Sequence, residues 1–257
     1  MTVIASRDNA RVRRWRELTR NARARRKERR ALIEGEHLIA AFLASGGKVA
    51  ELVLSKTGAA KFDALAKRSG KSPVVLGDAA FKSLSDTEAP AGIAAEIALP
   101  HSNSDLKSSG NCVFLEGIQD AGNVGTILRS AAAFGIKDVV LGRGCADAWS
   151  PKVLRAGMGA HFAVHIRESA DLAAAIGQFG GKVACTVVRG GKELKDADLS
   201  GRIGWIFGAE GQGVSEALAA RAQLKVTIPL PGGAESLNVA AAAAICFYEL
   251  SRRAARA

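Results

Sequence analysis

Apolar residues recur along the chain at two alternating spacings, which together predict an α/β fold. Short continuous apolar runs are typical of buried strands, and apolar residues three or four positions apart are typical of helices. Up to residue 98 the pattern predicts a basic helical arm, strands at 31–35, 49–54, 73–76 and 92–98, and helices at 36–45, 57–69 and 78–84. From residue 111 it predicts strands at 112–117, 138–142, 162–166, 183–188, 203–208 and 225–230, with helices at 123–135, 151–158, 169–179, 214–222 and 236–253. Strands separated by helices favour a parallel sheet that is covered on both faces.

A polar, Ser-rich segment at residues 99–110 interrupts this alternation and is typical of a linker. We therefore expect two domains. The smaller α/β domain, with the basic arm at its front, is expected to span residues 1–98. The larger parallel-sheet domain is expected to span residues 111–257.

The charge is distributed unevenly and indicates a polyanionic partner. The chain has 36 Lys or Arg residues against 25 acidic ones, a formal net charge of +11. Residues 11–30 contain eleven Lys or Arg and only two Glu. Such a cluster is typical of an arm that contacts nucleic-acid phosphates, whereas the alternative is a solvated helical tail. Nucleic acid is favoured over a membrane as the partner.

The cysteines and the hydropathy pattern exclude other classes of protein. Four widely spaced cysteines with no CxxC pair indicate reduced thiols in a cytoplasmic protein, with no disulfide framework and no metal site. No apolar run approaches the roughly 18 residues that a membrane-spanning helix requires. The N-terminus also lacks the apolar segment of a signal peptide. We therefore expect neither a membrane nor a metal as a partner.

Three glycine-containing turns of the second domain each follow a predicted strand and precede a helix, where ligands bind in open parallel sheets. The first turn, within 115–136, places Asn123 at the start of a helix and Arg129 one to two turns into it. A tight turn with an N-capping Asn and a surface Arg is the alternative interpretation.

The second turn, within 206–218, contains three glycines around Glu210. Their GxxGxG spacing differs from the dinucleotide fingerprint GxGxxG, and no GxxxxGK[ST] motif occurs. A nucleotide-dependent enzyme is therefore disfavoured. Glu210 either belongs to a ligand-binding loop or stabilises a helix start through the helix dipole.

The third turn, within 227–250, combines two prolines and two glycines in a rigid loop. Ser236 is predicted to cap the last helix, and Asn238 is predicted to lie in its first turn. Five consecutive alanines, Ala240 to Ala244, let this helix pack closely on another element. A tight helix crossing and a cofactor-binding element both remain open.

Taken in order, the three turns closely resemble the motifs of the SpoU (TrmH) family of SPOUT methyltransferases. The corresponding residues are Asn123, Gly125 and Arg129 in the first motif; Gly208, Glu210 and Gly213 in the second; and Ile228, Pro229, Ser236, Leu237, Asn238 and Val239 in the third. The N-terminal part is similar to the family's substrate-binding domain, a ribosomal-protein-like α/β module. The resemblance covers nearly the whole chain.

This resemblance implies a C-terminal domain tied in a trefoil knot and a homodimer with its cofactor pocket near the subunit interface. It implies S-adenosylmethionine as the cofactor, contacted by Gly208, Ile228 and Leu237. The implied activity is 2′-O-methylation of a ribose in RNA. Ribosomal RNA is favoured by the separate substrate domain, and transfer RNA stays open.

The resemblance also assigns the central catalytic role to Arg129. A guanidinium is effectively never deprotonated in a protein, so an electrostatic role toward a phosphate or developing alkoxide is favoured over that of a base. Asn123, Ser236 and Asn238 are expected to orient the ribose and the loops. Glu210 either pairs with Arg129 or organises the second loop.

Two other functions remain open at this point. A non-catalytic RNA-binding protein would use the basic arm and the first domain. A base-methylating SPOUT enzyme would use the same motifs on a nitrogen atom. Trp15, within the basic arm, is a candidate for base stacking, although packing of the helix is favoured.

Overall fold

The computed structural model describes residues 3–100, 106 and 110–254. Up to residue 100 the elements are β1 (Val3–Ile4), α1 (Ala10–Arg20), α2 (Ala22–Glu28), β2 (Arg30–Glu34), α3 (Glu36–Ala44), β3 (Glu51–Ser55), α4 (Lys56–Lys61), α5 (Asp63–Ser69), β4 (Val74–Leu76), α6 (Asp78–Lys82) and β5 (Ile93–Ala98). From residue 110 they are β6 (Cys112–Leu115), α7 (Ala121–Ala133), β7 (Asp138–Gly142), α8 (Pro151–Gly157), β8 (His165–Ala170), α9 (Leu172–Gln178), β9 (Lys182–Thr186), β10 (Lys192–Glu193), β11 (Ile203–Phe207), α10 (Glu216–Ala219), β12 (Leu224–Thr227) and α11 (Val239–Ala254).

Every predicted strand and helix has a counterpart, but several boundaries differ. The predicted helix at 57–69 is divided into α4 and α5 at Phe62, whose backbone leaves the helical region. The strand predicted at 162–166 begins at His165, because a 3₁₀ turn occupies Ala160–Phe162. The two-residue strands β1 and β10 were not predicted, since they are too short to show an alternating pattern.

The chain divides into two compact units. Of the described residues, the first unit contains 3–100 together with the segment Trp149–Phe162, and the second contains 106, 110–148 and 163–254. The segment Trp149–Phe162 therefore packs with the first unit, although the contiguous division at 111–257 placed it in the second. The linker predicted at 99–110 lies mostly outside the described residues.

The second unit is a parallel sheet, as predicted. Its seven strands follow the order β10-β12-β9-β11-β6-β7-β8, and all neighbouring pairs are parallel. Phe114 and Ile206 pack in one apolar cluster with residues of α9 and α10. Phe207 packs edge-on against Phe247 of α11. The prediction of a covered parallel sheet is thus confirmed.

The first unit is built on a mixed five-stranded sheet of order β1-β4-β3-β5-β2. β5 runs antiparallel to β2 and β3, whereas β1, β3 and β4 are parallel neighbours. Helix α1 covers this sheet with Val12, Trp15 and Leu18, which are at most 1% exposed. The basic segment is therefore part of a folded core.

Trp15 belongs to that core, so the stacking hypothesis is wrong and the packing interpretation is confirmed. Its indole Nε1 donates a hydrogen bond of 3.0 Å to Oε2 of Glu96, a residue that is 3% exposed. Arg14 donates two further bonds to the same carboxylate, at 2.6 and 2.9 Å. A buried carboxylate is tolerated because its oxygens are fully engaged by donors.

Other members of the basic segment are also structural, which corrects the prediction of an arm devoted to phosphates. Arg25 is buried and donates to the carbonyl oxygens of Leu18 and Thr19. Arg11 pairs with Glu51 of β3. Among the described residues, four exposed cations of this segment have neither an ion pair nor a side-chain hydrogen bond: Arg13, Arg23, Arg26 and Lys27.

All four cysteines carry free thiols. Within the part of the chain that the structure describes, no helix is both long and apolar enough to cross a bilayer.

Replacement of Glu96 by Gln is expected to destabilise the first unit by about 2 kcal/mol, less than for a fully buried pair because Arg14 is partly exposed. Burial favours the neutral acid, but hydrogen bonds from Arg14 and Trp15 outweigh it and lower the pKa of Glu96. The stabilisation is therefore complete above pH 4.5, the usual Glu value, and is lost as the pH falls through the lowered pKa. Urea unfolding of wild type and variant across this pH range measures the difference.

Glu28→Gln is the matched control, because Glu28 pairs with the same Arg14 but is exposed. It should cost less than about 1 kcal/mol. Equal losses in the two variants, or a Glu96 contribution that increases on acidification, would contradict this role of Glu96.

Candidate active site

The first glycine turn joins β6 to α7, and its geometry differs from the prediction at one residue. Helix α7 begins at Ala121, and Asp120 caps it by accepting a hydrogen bond of 2.7 Å from the backbone N–H of Asn123. Asn123 is therefore the third residue of the helix and not its cap. Its side chain is consequently available for other partners.

The Asn123 amide connects all three turns. Its Nδ2 donates to Oε1 of Glu210 in the second turn at 2.8 Å, and its Oδ1 accepts from Nδ2 of Asn238 in the third turn at 2.9 Å. We call Asn238, Asn123 and Glu210 the asparagine relay. Three of the five predicted catalytic residues thus form one hydrogen-bonded chain.

The third turn ends at the N-terminal cap of α11, and the prediction that Ser236 forms this cap is wrong. Oδ1 of Asn238 accepts from the backbone N–H groups of Ala240 and Ala241, at 2.9 and 3.3 Å. Asn238 therefore caps α11, which begins at Val239, whereas Ser236 is exposed in the preceding loop. These two bonds engage the oxygen of Asn238, and the Nδ2 group of the same side chain donates to Asn123.

The second turn is folded tightly on itself. A Cβ atom placed on Gly208 would lie 1.9 Å from the carbonyl oxygen of Gly213, so only glycine fits there. Gly213 donates its N–H to Ala209 and has a φ of +70°, and Gly211 has a φ of +84°. L-residues rarely adopt such values. These glycines bring Glu210 to the position from which it reaches Asn123.

Glu210 stays ionised in this setting. Partial desolvation would raise its pKa, but the hydrogen bond from Asn123, together with bonds from the backbone N–H groups of Glu210 and Gln119, lowers it below the ordinary value. A carboxylate acceptor strengthens the bond from Asn123. Glu210 pairs with Asn123 in the structure rather than with Arg129, which favours the loop-organising role.

A cavity of about 1000 Å³ opens between the second and third turns. All three residues predicted to contact the cofactor line it, namely Gly208, Ile228 and Leu237, and so do Glu210, Ser236 and Asn238. Its walls combine glycine backbone and aliphatic side chains with polar side chains such as Glu210 and Ser236. This composition suits a ligand with both apolar and polar parts, such as S-adenosylmethionine.

Arg129 lies apart from the relay. It projects from α7 as an exposed side chain and forms no hydrogen bond or ion pair within the described ranges 3–100 and 110–254. The structure thus brings together Asn123, Glu210 and Asn238, and it does not link Arg129 or Ser236 to them.

Sequence reasoning missed Glu116, the residue that follows β6. Its Oε2 accepts a hydrogen bond of 2.8 Å from the backbone N–H of Ser215, which caps α10 at the end of the second turn. Glu116 and Asn123 therefore hold the second turn at two points, Ser215 and Glu210. An acid placed directly after a buried strand, at the carboxyl edge of a parallel sheet, was the available signal.

The chain also resembles known protein families. Residues 110–248 match the model of the SpoU rRNA methylase family. The chain belongs to the SpoU rRNA methylase family. Residues 9–95 match a second model, the MRM3-like substrate-binding domain. The expected family and fold are thereby confirmed.

Individual relatives match over part or nearly all of the chain. The 23S rRNA (guanosine(2553)-2′-O)-methyltransferase RlmP of Bacillus subtilis is 36% identical, covering 97% of the chain and 99% of that protein. The human mitochondrial rRNA methyltransferase 3 is 38% identical over 55% of the chain and 36% of its own length. The crystal structure of an AdoMet-bound rRNA methyltransferase from Sinorhizobium meliloti superposes with a TM-score of 0.83 at 26% identity, over 98% of each chain.

The described residues also contain no group of three or more His, Cys, Asp or Glu side chains placed to hold a metal ion.

Glu116→Ala is expected to weaken binding of S-adenosylmethionine about tenfold, because one hydrogen bond that fixes the cavity wall is lost. Glu116→Gln should restore most of the affinity, since its carbonyl oxygen still accepts from Ser215. Isothermal titration of both variants measures this, and the methyl-transfer rate at saturating cofactor should change little. Equal loss in both variants, or a lower saturated rate at unchanged affinity, would contradict a positioning role.

Proposed function

We propose that this protein transfers a methyl group from S-adenosylmethionine to a ribose 2′-hydroxyl of ribosomal RNA. The asparagine relay beside a 1000 Å³ cavity is the observation that carries the proposal. Membership of the SpoU family supports it, as do relatives named as rRNA methyltransferases. The AdoMet-bound relative supports the choice of cofactor.

The cavity residues fit this cofactor in distinct ways. Gly208 would line the pocket where the second turn folds against Gly213, and Ile228 and Leu237 would supply apolar contacts. When bound, the cofactor supplies a methyl group activated by a positively charged sulfur. The task of this chain is then to align the ribose oxygen and to exclude water.

We assign the electrostatic role to Arg129. Its guanidinium is exposed and has no protein partner among the described residues, so it is available for a substrate phosphate. Because it stays protonated, it would stabilise negative charge that develops on the ribose oxygen instead of accepting the proton. A phosphate oxygen of the substrate would accept that proton.

Asn123, Ser236 and Asn238 would orient the substrate and the turns. The relay holds Asn123 and Asn238 in fixed positions, and the exposed Ser236 hydroxyl has freedom to reach the ribose. Glu210 would act through Asn123 by fixing the direction of its amide.

We further propose that residues 1–98 bind the RNA and that residues 111–257 carry out the transfer. The match of residues 9–95 to a substrate-binding domain supports this division. Exposed cations of α1 and α2, such as Arg13 and Arg26, would contact phosphates. Ribosomal RNA is preferred to transfer RNA because the relatives are named for rRNA.

We also propose a homodimer in the cytoplasm, with the C-terminal domain knotted. Two apolar side chains of α11 are exposed, Ile245 at 39% and Tyr248 at 56%, and Tyr248 packs edge-on against Phe134. An exposed apolar patch of this kind favours a subunit interface. Free thiols support a reducing compartment.

Arg129→Ala should lower the methyl-transfer rate by about 100- to 1000-fold, the usual cost of removing a group that stabilises developing charge. Binding of S-adenosylmethionine should be unchanged, because Arg129 does not line the cavity. Single-turnover methylation of unmodified 23S rRNA and calorimetry measure the two quantities separately.

Arg221→Ala is the matched control, since Arg221 is another exposed arginine of the same unit. It should behave as wild type. Normal turnover in Arg129→Ala would refute the assignment, and so would a loss of cofactor binding that accounts for the whole defect.

A further inference from the structure

Two helix ends in the first unit enclose a groove that the proposed activity does not use. Helices α3 and α5 both terminate there, next to the starts of β3 and β4. The groove has a volume of about 430 Å³ and is lined by Leu43, Gly46, Gly47, Lys48, Val49, Arg68, Ser69 and Lys71.

The same short sequence device ends both helices. Ser45, Gly46 and Gly47 precede Lys48 after α3, and Ser69 and Gly70 precede Lys71 at the end of α5. Gly46 and Gly70 have φ values of +83° and +64°, which turn the chain back at each helix end. Each turn delivers one lysine to the groove.

The helix ends do not depend on these lysines for hydrogen bonding. The hydroxyl groups of Ser45 and Ser69 donate to the carbonyl oxygens of Phe42 and Ala66, at 2.8 and 2.7 Å. Backbone N–H groups of the two turns bond to further terminal carbonyls, including that of Lys67. Terminal carbonyls are thus satisfied by the chain itself, which leaves the ammonium groups free for another acceptor.

Three cations therefore converge on one groove without compensation. Lys48, Arg68 and Lys71 are all exposed, and none of them forms an ion pair with any residue that the structure describes. In contrast, the adjacent Lys67 pairs with Asp63 at 2.7 Å. Like charges gathered around a concavity produce a positive potential that attracts an anion.

We propose that this groove binds the phosphodiester backbone of the RNA substrate, at a site separate from the exposed arginines of α1 and α2. The inference rests on the proposed function, because that function supplies the polyanion. Two lysines on separate turns and an arginine at the end of α5 match consecutive phosphates of one strand better than a single small anion. Lysine and arginine contacts of this kind position an RNA without reading its sequence.

The test compares charge removal inside and outside the groove. The groove variant is K48Q/R68Q/K71Q, and the matched control K56Q/K61Q/K82Q removes three exposed cations of α4 and α6 in the same unit. The probe is a fluorescent 23S rRNA fragment centred on the position equivalent to guanosine 2553, the nucleotide in the name of the Bacillus relative. Anisotropy titrations over a series of KCl concentrations give the slope of log K against log salt.

The groove variant should reduce the magnitude of this slope by about 2, since each lost phosphate contact removes roughly 0.7 for single-stranded RNA. Its affinity at low salt should fall about tenfold. The control variant should change the slope by less than about 1. The charge-preserving variant K48R/R68K/K71R should keep the wild-type slope. This result would show that the charge of the three side chains, and not their shape, determines the salt dependence of RNA binding.

Equal slopes in the groove and control variants would overturn the proposal. A lower melting temperature with an unchanged slope would overturn it too, and would show that the cations only stabilise the helix ends. Thermal unfolding followed by circular dichroism shows whether the first unit of each variant is folded. Failure of the wild type to bind the fragment would instead refute RNA as the substrate, so the two failures are distinguishable.

Discussion

One side-chain amide holds the candidate site together. The NH2 group of Asn123 donates to one turn and its oxygen accepts from another, and these partners lie 87 and 115 residues further along the chain. Each such bond contributes only about 1 kcal/mol, but a buried or half-buried amide that loses its partners also carries a desolvation cost. Exchange of Asn123 for Asp would remove the donor to Glu210 and place two carboxylates together. The cavity walls are therefore positioned relative to α7 by a residue whose geometry allows no close substitute.

The strands of the sheet and the residues of the site could be predicted from the sequence, but the hydrogen bonds between the site residues could not. Strands such as 112–117 and 203–208 were recognisable because continuous apolar runs report burial on both faces of a sheet. The contacts between Asn123, Glu210 and Asn238 depend on strand order, which local periodicity does not contain. The same limitation explains Ser236: Ser and Asn are both good caps, and only the structure shows which oxygen meets the free N–H groups of α11.

The basic segment illustrates how charge is misread when it is considered without a fold. Eleven cations suggested a surface for phosphates, yet Arg14 and Arg25 are engaged with Glu96 and with backbone carbonyls. Glu96 is distant in the sequence, and its burial next to Trp15 gives the first unit a fixed internal charge pair. Cations that are unpaired among the described residues, both on α1 and α2 and around the groove at Lys48, are then the better candidates for RNA. Whether a cation has a protein partner distinguishes structural cations from RNA-binding ones better than local charge density does.

We propose that the relay and the adjacent cavity serve the methylation of a ribose oxygen. The most direct test is to incubate the purified protein with S-adenosylmethionine and unmodified 23S rRNA and to map alkali-resistant phosphodiester bonds, since a 2′-O-methyl group blocks cleavage at its own nucleotide. We expect one resistant position that requires both protein and cofactor. A methyl group found on a base nitrogen with every ribose still cleavable, or no incorporation at all, would contradict it.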